Sequence, residues 1–251
     1  MAKIFSVHSF RGGTGKSNTT ANLAVLLAAD GLRIGVIDTD IQSPGIHVLF
    51  GLDPKEMHLT LNDYLWGKCK IAEAAYDMTP RLGIKGKGQI FLIPSSMKVN
   101  EIARILKEGY DVGLLNDGFN ELLDDLALDV LMIDTHPGLN EETLLSIAIS
   151  DALVLIMRPD QQDIQGTAVT IDVARKLDVA KMVLLVNKAP SVYDFDQLQR
   201  DMEKVYGCPV AAILAHSDEM MILGGKGVFS LNFPDNPITM KLKQVAALLM
   251  A

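Results

Sequence analysis

The chain has 251 residues, of which 49% are hydrophobic and 22% are charged, with a formal net charge of -8 and a pI near 5.1. This length and apolar content suffice for a substantial core in one α/β domain over residues 1–251. The acidic balance argues against a generally basic surface for nucleic-acid phosphates, and Cys69 and Cys208 form no CxxC pair for a metal cluster. The chain has neither an apolar run of roughly 20 residues nor a signal-peptide pattern, so we expect a cytoplasmic protein.

Strand-like apolar runs alternate with helical patterns along the chain. In order they are KIFSVHSF, RIGVID, QIFLIPS, DVLMID, ALVLIMRP, MVLLVNKA and VAAILAHS. Because these runs are apolar almost throughout, they are typical of strands covered on both faces, and the alternation predicts right-handed βαβ units. The predicted fold is therefore α/β, a doubly wound, mostly parallel sheet of about seven or eight strands with helices on both faces.

The ends of the helices are less clearly defined in the sequence than those of the strands. A helix is predicted from Asn18 to Ala29, with Gly31 at its end, and a helical stretch over 101–126 has a predicted internal break near 113–118. The glycine-rich and basic segment 80–89 is predicted to be a flexible, solvated connection.

The stretch HSFRGGTGKSNTT, residues 8–20, has the pattern of a phosphate-binding loop. It follows a strand and opens a helix, so its glycines can turn backbone N–H groups toward an anion at the positive end of the helix dipole. Lys16 is placed for the β and γ phosphates, and the Ser17 hydroxyl for a magnesium ion. The strict pattern GxxxxGK[ST] fails, since Phe10 occupies the first glycine position. The residues predicted to bind the nucleotide here are Gly12, Gly13, Thr14, Gly15, Lys16, Ser17 and Asn18.

Carboxylates follow two further strands, in IGVIDTDIQSPG and DVLMIDTHPGL. Asp38 and Asp40 at a strand's carboxyl end can hold Mg²⁺ through water and orient an attacking water. Asp134 ends the other strand, and Gly138 in the turn after it can offer a backbone N–H to the γ phosphate. The predicted metal-binding set is Ser17, Asp38 and Asp134.

In order and spacing, these segments resemble the ParA/MinD family of P-loop ATPases, with Arg11 where that family's loop KGGxGK[ST] has its first lysine. The wording DTDIQSPGIHVLFGL is most similar to the MinD and Mrp branches. The resemblance implies that Asp40 positions the nucleophilic water and that Asp134 is the Walker B acid. It also implies that Asn187 reads the adenine edge and that Pro234, in LNFPDNP, closes over the base.

The resemblance implies ATP and ADP with Mg²⁺ as ligands, slow hydrolysis stimulated by a partner protein, and an ATP-dependent homodimer. Lys16, Asp40 and Arg11 are then the catalytic candidates, with Arg11 touching the partner's nucleotide. An arginine keeps the charge but is not interchangeable with lysine at a tight site, so a contact within its own subunit and an exposed, non-dimerising role stay open. His136 stands where the family loop has proline; it is either a proton acceptor or, by preference, a tolerated surface or interface residue.

The favoured function is an ATPase switch that positions or partitions a cargo such as DNA, a division or motility apparatus, or another large assembly. The alternatives are a nucleotide-dependent binding module with weak or no hydrolysis, an Mrp-type iron-sulfur carrier, which lacks its late CxxC here, and a ligase or kinase with no identifiable substrate pocket.

The surface on which such a switch would act is less defined. Nucleic acid is not favoured, with Lys85 and Lys87 as the first suspects. The C-terminal ITMKLKQVAALLMA has an apolar face, but it has few basic residues and no aromatic anchor, so docking on the core is preferred to membrane contact. A protein scaffold is at least as favoured as DNA. The residues on that apolar face are Leu242, Val245, Ala246 and Leu249.

Overall fold

The computed structural model describes residues 2–251, and its eight strands form one sheet in the order β3-β4-β2-β5-β1-β6-β7-β8. Every pairing is parallel except the antiparallel pairing of β3 with β4. The predicted doubly wound, mostly parallel sheet is confirmed. The strand that the sequence did not predict is β3, whose two residues are too few to show a periodicity. The strands are β1 Lys3–His8, β2 Arg33–Asp38, β3 Tyr76–Asp77, β4 Gln89–Ile93, β5 Val130–Asp134, β6 Ala152–Met157, β7 Met182–Ala189 and β8 Val210–Ala215.

Helices cover both faces of the sheet. They are α1 Lys16–Ala29, α2 Ile46–Leu49, α3 Leu61–Leu65, α4 Thr79–Leu82, α5 Val99–Glu108, α6 Val112–Asp125, α7 Glu141–Ala148, α8 Gln161–Lys176, α9 Phe195–Tyr206, α10 Asp218–Leu223, α11 Phe229–Asn232 and α12 Pro237–Met250. Of the predicted flexible segment 80–89, residues 80–82 belong to α4, residues 83–88 form the connection, and Gln89 begins β4.

The predicted helix break near 113–118 is wrong. The chain breaks at Gly109, which has a left-handed φ of 68°, and α6 then begins after Asp111, whose side chain accepts a hydrogen bond from the Gly113 backbone N–H at 2.8 Å. Gly118 lies inside α6 because the Tyr64 ring packs where its side chain would be. Neither glycine breaks the helix: Gly113 lies in the capped first turn of α6, and Gly118 lies where the Tyr64 ring packs.

Two long helices form much of one face of the core. α1 is buried along most of its length, and α12 packs against both α1 and β8. The preference for a C-terminal helix docked on the core is confirmed, since its apolar face is buried. Among residues 2–251, none of the helices combines the length and apolar character that crossing a bilayer requires. The buried residues of that face include Leu242, Val245, Ala246 and Leu249.

The parallel arrangement brings the predicted site segments to one edge of the sheet. Val7 of β1 and Asp38 of β2 both pair in register with Asp134 of β5, so the loops after these strands leave side by side. Lys85 and Lys87 precede β4 and are exposed, which puts them at the opposite, amino-terminal edge. The suspected basic surface is therefore separated from the phosphate loop by the length of the strands.

Candidate functional site

The phosphate loop connects β1 to α1 and is braced from β7. Gly13 and Gly15 have φ values of 77° and 105°, and a side chain at Gly15 would overlap the Asn187 amide. Asn187 Nδ2 donates to the Thr14 carbonyl at 2.8 Å, and Lys188 Nζ donates to the Gly13 carbonyl at 2.8 Å. These two contacts fix the backbone of the loop, and a glycine turn that leads into a helix is an arrangement whose N–H groups bind anions.

Lys16 begins α1 and is buried beside the end of β5. The Asp134 carboxylate accepts a hydrogen bond from Thr20 Oγ1 at 3.2 Å. Burial raises the pKa of Asp134 to about 6, while a hydrogen bond from Ser17 and the charge of Lys16 act in the opposite direction. The predicted phosphate lysine and the predicted metal-binding aspartate thus belong to one electrostatic cluster.

Asp38 lies next to Asp134, also fully buried. Burial and the neighbouring Asp134 charge raise the pKa of Asp38 well above its usual range, although the backbone N–H groups of Asp40 and Gly45 donate to it at 3.0 and 3.2 Å. Two buried carboxylates that repel one another fit a divalent cation, and carboxylate with hydroxyl oxygen is a donor set that Mg²⁺ prefers. The predicted set Ser17, Asp38 and Asp134 is brought together and fits Mg²⁺.

Asp40 is held by a residue that the sequence analysis set aside. Its Oδ1 accepts from the Ser43 backbone N–H at 3.2 Å, from Ser43 Oγ at 2.9 Å and from His136 Nδ1 at 2.7 Å. The His136 side chain is 21% exposed and is paired with Asp40, so it is not a free surface residue, whereas its role at an interface stays a prediction. Because β2 and β5 are neighbours in the sheet, the loops that follow them lie side by side, and this adjacency could have predicted a contact between Asp40 and His136.

Gly138 lies where its loop meets the phosphate loop. It has a φ of 86°, and its N–H donates to the Ser9 carbonyl at 3.2 Å. The N–H predicted to contact the γ phosphate is therefore engaged with the loop, and it has to leave Ser9 before it can serve a ligand.

Beside the phosphate loop is a cavity of about 290 Å³, whose lining includes Asn18, predicted to bind the nucleotide, and Asn187, predicted to read the adenine edge. Pro234 is not among its lining residues. It is exposed in the turn between α11 and α12, where Thr239 Oγ1 donates to the Phe233 carbonyl at 2.7 Å and ties that turn to α12. The segment that lines this side of the cavity instead follows β8. In the sequence it could have been found as a run with polar residues and glycines directly after a strand. The lining residues are Gly15, Asn18, Asn187, Lys188, Ala215, His216, Ser217, Met220, Met221, Gly224 and Gly225.

Arg11 is turned toward the start of α8. Its Nη2 lies 2.7 Å from Asp160 Oδ2, its Nε lies 2.7 Å from Asp163 Oδ1, and its Nη1 donates to Gln162. The preceding Phe10 ring covers Gly166 on the same helix. In this structure Arg11 makes these contacts within its own subunit, and its role toward a nucleotide stays a prediction.

The sequence and the fold were compared with known proteins. Residues 2–184 match a family described as an AAA domain. An uncharacterized ATP-binding protein of Methanocaldococcus jannaschii is 27% identical over 251 residues, which are 100% of this chain and 88% of that protein.

Solved structures share the whole fold. The cell division ATPase MinD of Pyrococcus furiosus superposes with a TM-score of 0.82 at 21% identity, covering 100% of this chain and 99% of that one. The septum site-determining protein MinD of Pyrococcus horikoshii OT3, complexed with Mg-ADP, gives a TM-score of 0.79 at 20% identity, covering 99% and 96%. With the family match over most of its length and the phosphate loop, strand-end aspartates and sheet order described above, this chain belongs to the ParA/MinD family of P-loop nucleotide-binding ATPases.

Proposed function

We propose that this protein is a Mg²⁺-dependent ATPase that works as a slow molecular switch and dimerises with ATP to position a cellular cargo. One observation carries the proposal: Lys16, the buried pair Asp38 and Asp134, and Asp40 surround a single phosphate loop with a cavity beside it. This arrangement supplies phosphate binding, a cation site and a carboxylate for water in one place.

The side chains divide the work of in-line attack on the γ phosphate. Lys16 and N–H groups of the loop hold the β and γ phosphates, and Asp40 aligns the water whose oxygen forms the new bond to phosphorus as the bridging oxygen leaves with ADP. Ser17, Asp38 and Asp134 would hold Mg²⁺. When bound, the ion neutralises charge that develops on the phosphate oxygens.

The ion pairs of Arg11 have to break if Arg11 is to act across a dimer interface. Its guanidinium is 27% exposed and is bound to Asp160 and Asp163, so it must leave these carboxylates to reach a nucleotide across a dimer interface. A phosphate offers the same guanidinium a bidentate partner of higher charge. We therefore propose that Arg11 contacts α8 in the monomer and contacts the partner's nucleotide in the dimer.

The positioning role is supported by the relatives. The MinD protein of P. furiosus is a cell division ATPase, and its fold covers this entire chain. DNA, a division or motility apparatus, or another large assembly is the proposed class of cargo, and a further protein would stimulate hydrolysis. Direct contact with nucleic acid is less favoured, because Lys85 and Lys87 lie at the far edge of the sheet. Membrane contact through α12 is less favoured, because its apolar face is buried.

A second candidate is a nucleotide-dependent binding module with weak or no hydrolysis. The ion pairs that hold Arg11 within its own subunit favour it, since a permanently held Arg11 could not complete a site in another subunit. An iron-sulfur carrier is less favoured, because Cys208 is buried and Cys69 lies far from it along the chain.

Light scattering after size-exclusion chromatography separates these functions. Asp40→Ala is expected to bind ATP with only residual turnover, too slow to matter during the run, and to elute as a dimer with Mg-ATP and as a monomer with Mg-ADP. Arg11→Ala in the same background is expected to abolish the dimer, while Lys204→Ala, which removes an exposed cation on α9, leaves it unchanged. A monomer under every condition would contradict the dimer switch and favour the binding module.

A further inference from the structure

The Asp40 carboxylate is held asymmetrically. Its Oδ1 accepts from the Ser43 backbone N–H, Ser43 Oγ and His136 Nδ1, whereas no group in the described part of the chain, residues 2–251, donates to its Oδ2. A carboxylate oxygen is an acceptor and an imidazole N–H is a donor, so we assign His136 Nδ1 as the donor of this 2.7 Å hydrogen bond. One oxygen is therefore fixed by three donors and the other is left for a ligand or water.

His136 is itself fixed from two sides. Its carbonyl accepts from Thr143 Oγ1 at 3.3 Å, and Thr143 lies in the first turn of α7, which is capped by Asn140 Oδ1. Pro137 follows it and restricts the backbone on the other side. The start of α7 thus holds the backbone of His136 beside Asp40, whereas Ser43 contacts Asp40 from the same loop.

We infer that His136 is a positioning residue for ATP hydrolysis: by donating to Asp40 Oδ1 it fixes the carboxylate so that Oδ2 is offered to the attacking water. The inference rests on the proposed function and deepens it. It also couples the two switch segments, because the loop after β2 carries Asp40 and the loop after β5 carries His136 and Gly138. A movement of the β5 loop toward a γ phosphate then sets the water-aligning carboxylate at the same time.

The first test compares three variants of His136. His136→Ala is expected to lower kcat about tenfold, the effect of losing one positioning hydrogen bond, with KM for ATP and the affinity for Mg-ADP within about twofold of wild type. Asn places an amide nitrogen at the same bond count as Nδ1, so His136→Asn is expected to recover most of kcat, whereas His136→Gln, with its amide one carbon farther out, is not. His58→Ala, at an exposed histidine that uses only its backbone N–H, is the control and is expected to change nothing.

A double-mutant cycle tests whether His136 acts through Asp40. If it does, His136→Ala lowers kcat in the wild-type background and causes no further loss of the residual turnover of Asp40→Ala, which is measured at high enzyme concentration. The same fold loss in both backgrounds would overturn the inference, as would a kcat unchanged in His136→Ala. Melting curves report folding, and His136→Asn keeps the test valid if the alanine variant is unstable.

The outcomes distinguish the inference from the proposed function. A wild-type protein that binds Mg-ATP but hydrolyses none over hours overturns both. A wild-type protein that hydrolyses ATP, with His136→Ala equally active, overturns the role of His136 alone.

Discussion

Lys16 is a lysine buried at 7% exposure, which carries an unfavourable desolvation unless an anion is near. The charge of Lys16 interacts with Asp134, and in the proposed complex it also contacts the phosphates. Lys16→Ala is expected to weaken Mg-ATP binding about hundredfold, because it removes charge-assisted hydrogen bonds to phosphate. Titration calorimetry measures the loss, with Lys204→Ala as the matched control. Binding that is undiminished in Lys16→Ala would contradict the assignment of the loop.

His8 is a second buried group, at the end of β1. Its Nδ1 lies 2.8 Å from Thr135 Oγ1, and burial, aided by the charge of Lys16, lowers the pKa of His8 to about 3. Between the usual histidine pKa and this value the unfolded chain binds a proton that the folded protein does not. The free energy of unfolding that His8 contributes is therefore intact above about pH 6.5 and is lost as the pH falls.

We expect this loss to appear in a comparison with His8→Asn, whose amide can replace Nδ1 toward Thr135. Between pH 7.5 and pH 5.5 the wild type should lose about 1.4 kcal/mol more free energy of unfolding than the variant. Urea unfolding at each pH measures the difference, with His58→Asn as the control at an exposed histidine. Wild-type and variant curves that stay parallel would contradict a neutral, buried His8.

The residues of the site were predictable to different degrees. Lys16, Asp38 and Asp134 each follow or end an apolar run, and strand ends in a parallel sheet meet at one edge, so local sequence places them. The contacts of Asp40 with His136 and of Arg11 with Asp160 join residues 96 and 149 positions apart through side-chain geometry. No periodicity or spacing carries that information.

At the scale of elements, strands buried on both faces gave continuous apolar runs, which the sequence shows directly. Glycines were harder to interpret. Gly109 ends a helix through a positive φ, whereas Gly118 lies within α6 because of the Tyr64 ring, and both look alike in sequence. The difference depends on tertiary packing, which propensity does not report.

Gly88 is a glycine whose packing can be tested. It precedes β4, and a side chain there would overlap the carbonyl group of Ala28 at the end of α1. Gly88→Ala is expected to lower the free energy of unfolding by about 2–3 kcal/mol, because backbone must move to admit the methyl group. Gly86→Ala, in open space but with a φ of 91°, is the control and should cost about 1 kcal/mol. Equal costs in urea unfolding would contradict the close approach of α1 and β4.

The start of α8 carries the prediction for Arg11. Asp160 Oδ1 caps α8 by accepting from the Asp163 N–H at 3.0 Å, while its Oδ2 pairs with Arg11. Asp160→Asn keeps the cap and removes the charge. Since Asp160 is 43% exposed, the cost in stability should stay below about 1 kcal/mol.

If Arg11 leaves α8 to act across a dimer, Asp160→Asn should strengthen the Mg-ATP dimer several-fold. Sedimentation velocity over a concentration series gives the dimer dissociation constant, with Asp172→Asn on the same helix as the control. A dimer that is unchanged or weaker would show that the contact with α8 does not compete with dimerisation.

On the scale of the whole molecule, the sheet, α1 and α12 form one continuous packing unit. Composition predicted one α/β core. It did not show whether the C-terminal helix belongs to that core, because an apolar helix face can pack on a core or on a membrane. The structure decides this because α12 packs on α1 and β8, with Val245 fully buried.

The burial of this face predicts how substitutions in α12 change the free energy of unfolding. Val245→Asp places an unpaired charge in the core and is expected to lower the free energy of unfolding by more than about 3 kcal/mol, whereas Gln244→Asp on the exposed side of the helix should change it by less than about 0.5 kcal/mol. Urea unfolding measures both, and flotation with anionic phospholipid vesicles and Mg-ATP tests the wild type and Gln244→Asp for membrane contact. If Val245→Asp were as stable as Gln244→Asp and the wild type floated with the vesicles while Val245→Asp did not, α12 would have to leave the core to work. The buried face would then be a switch surface, and the preferred interpretation of a docked helix would fail.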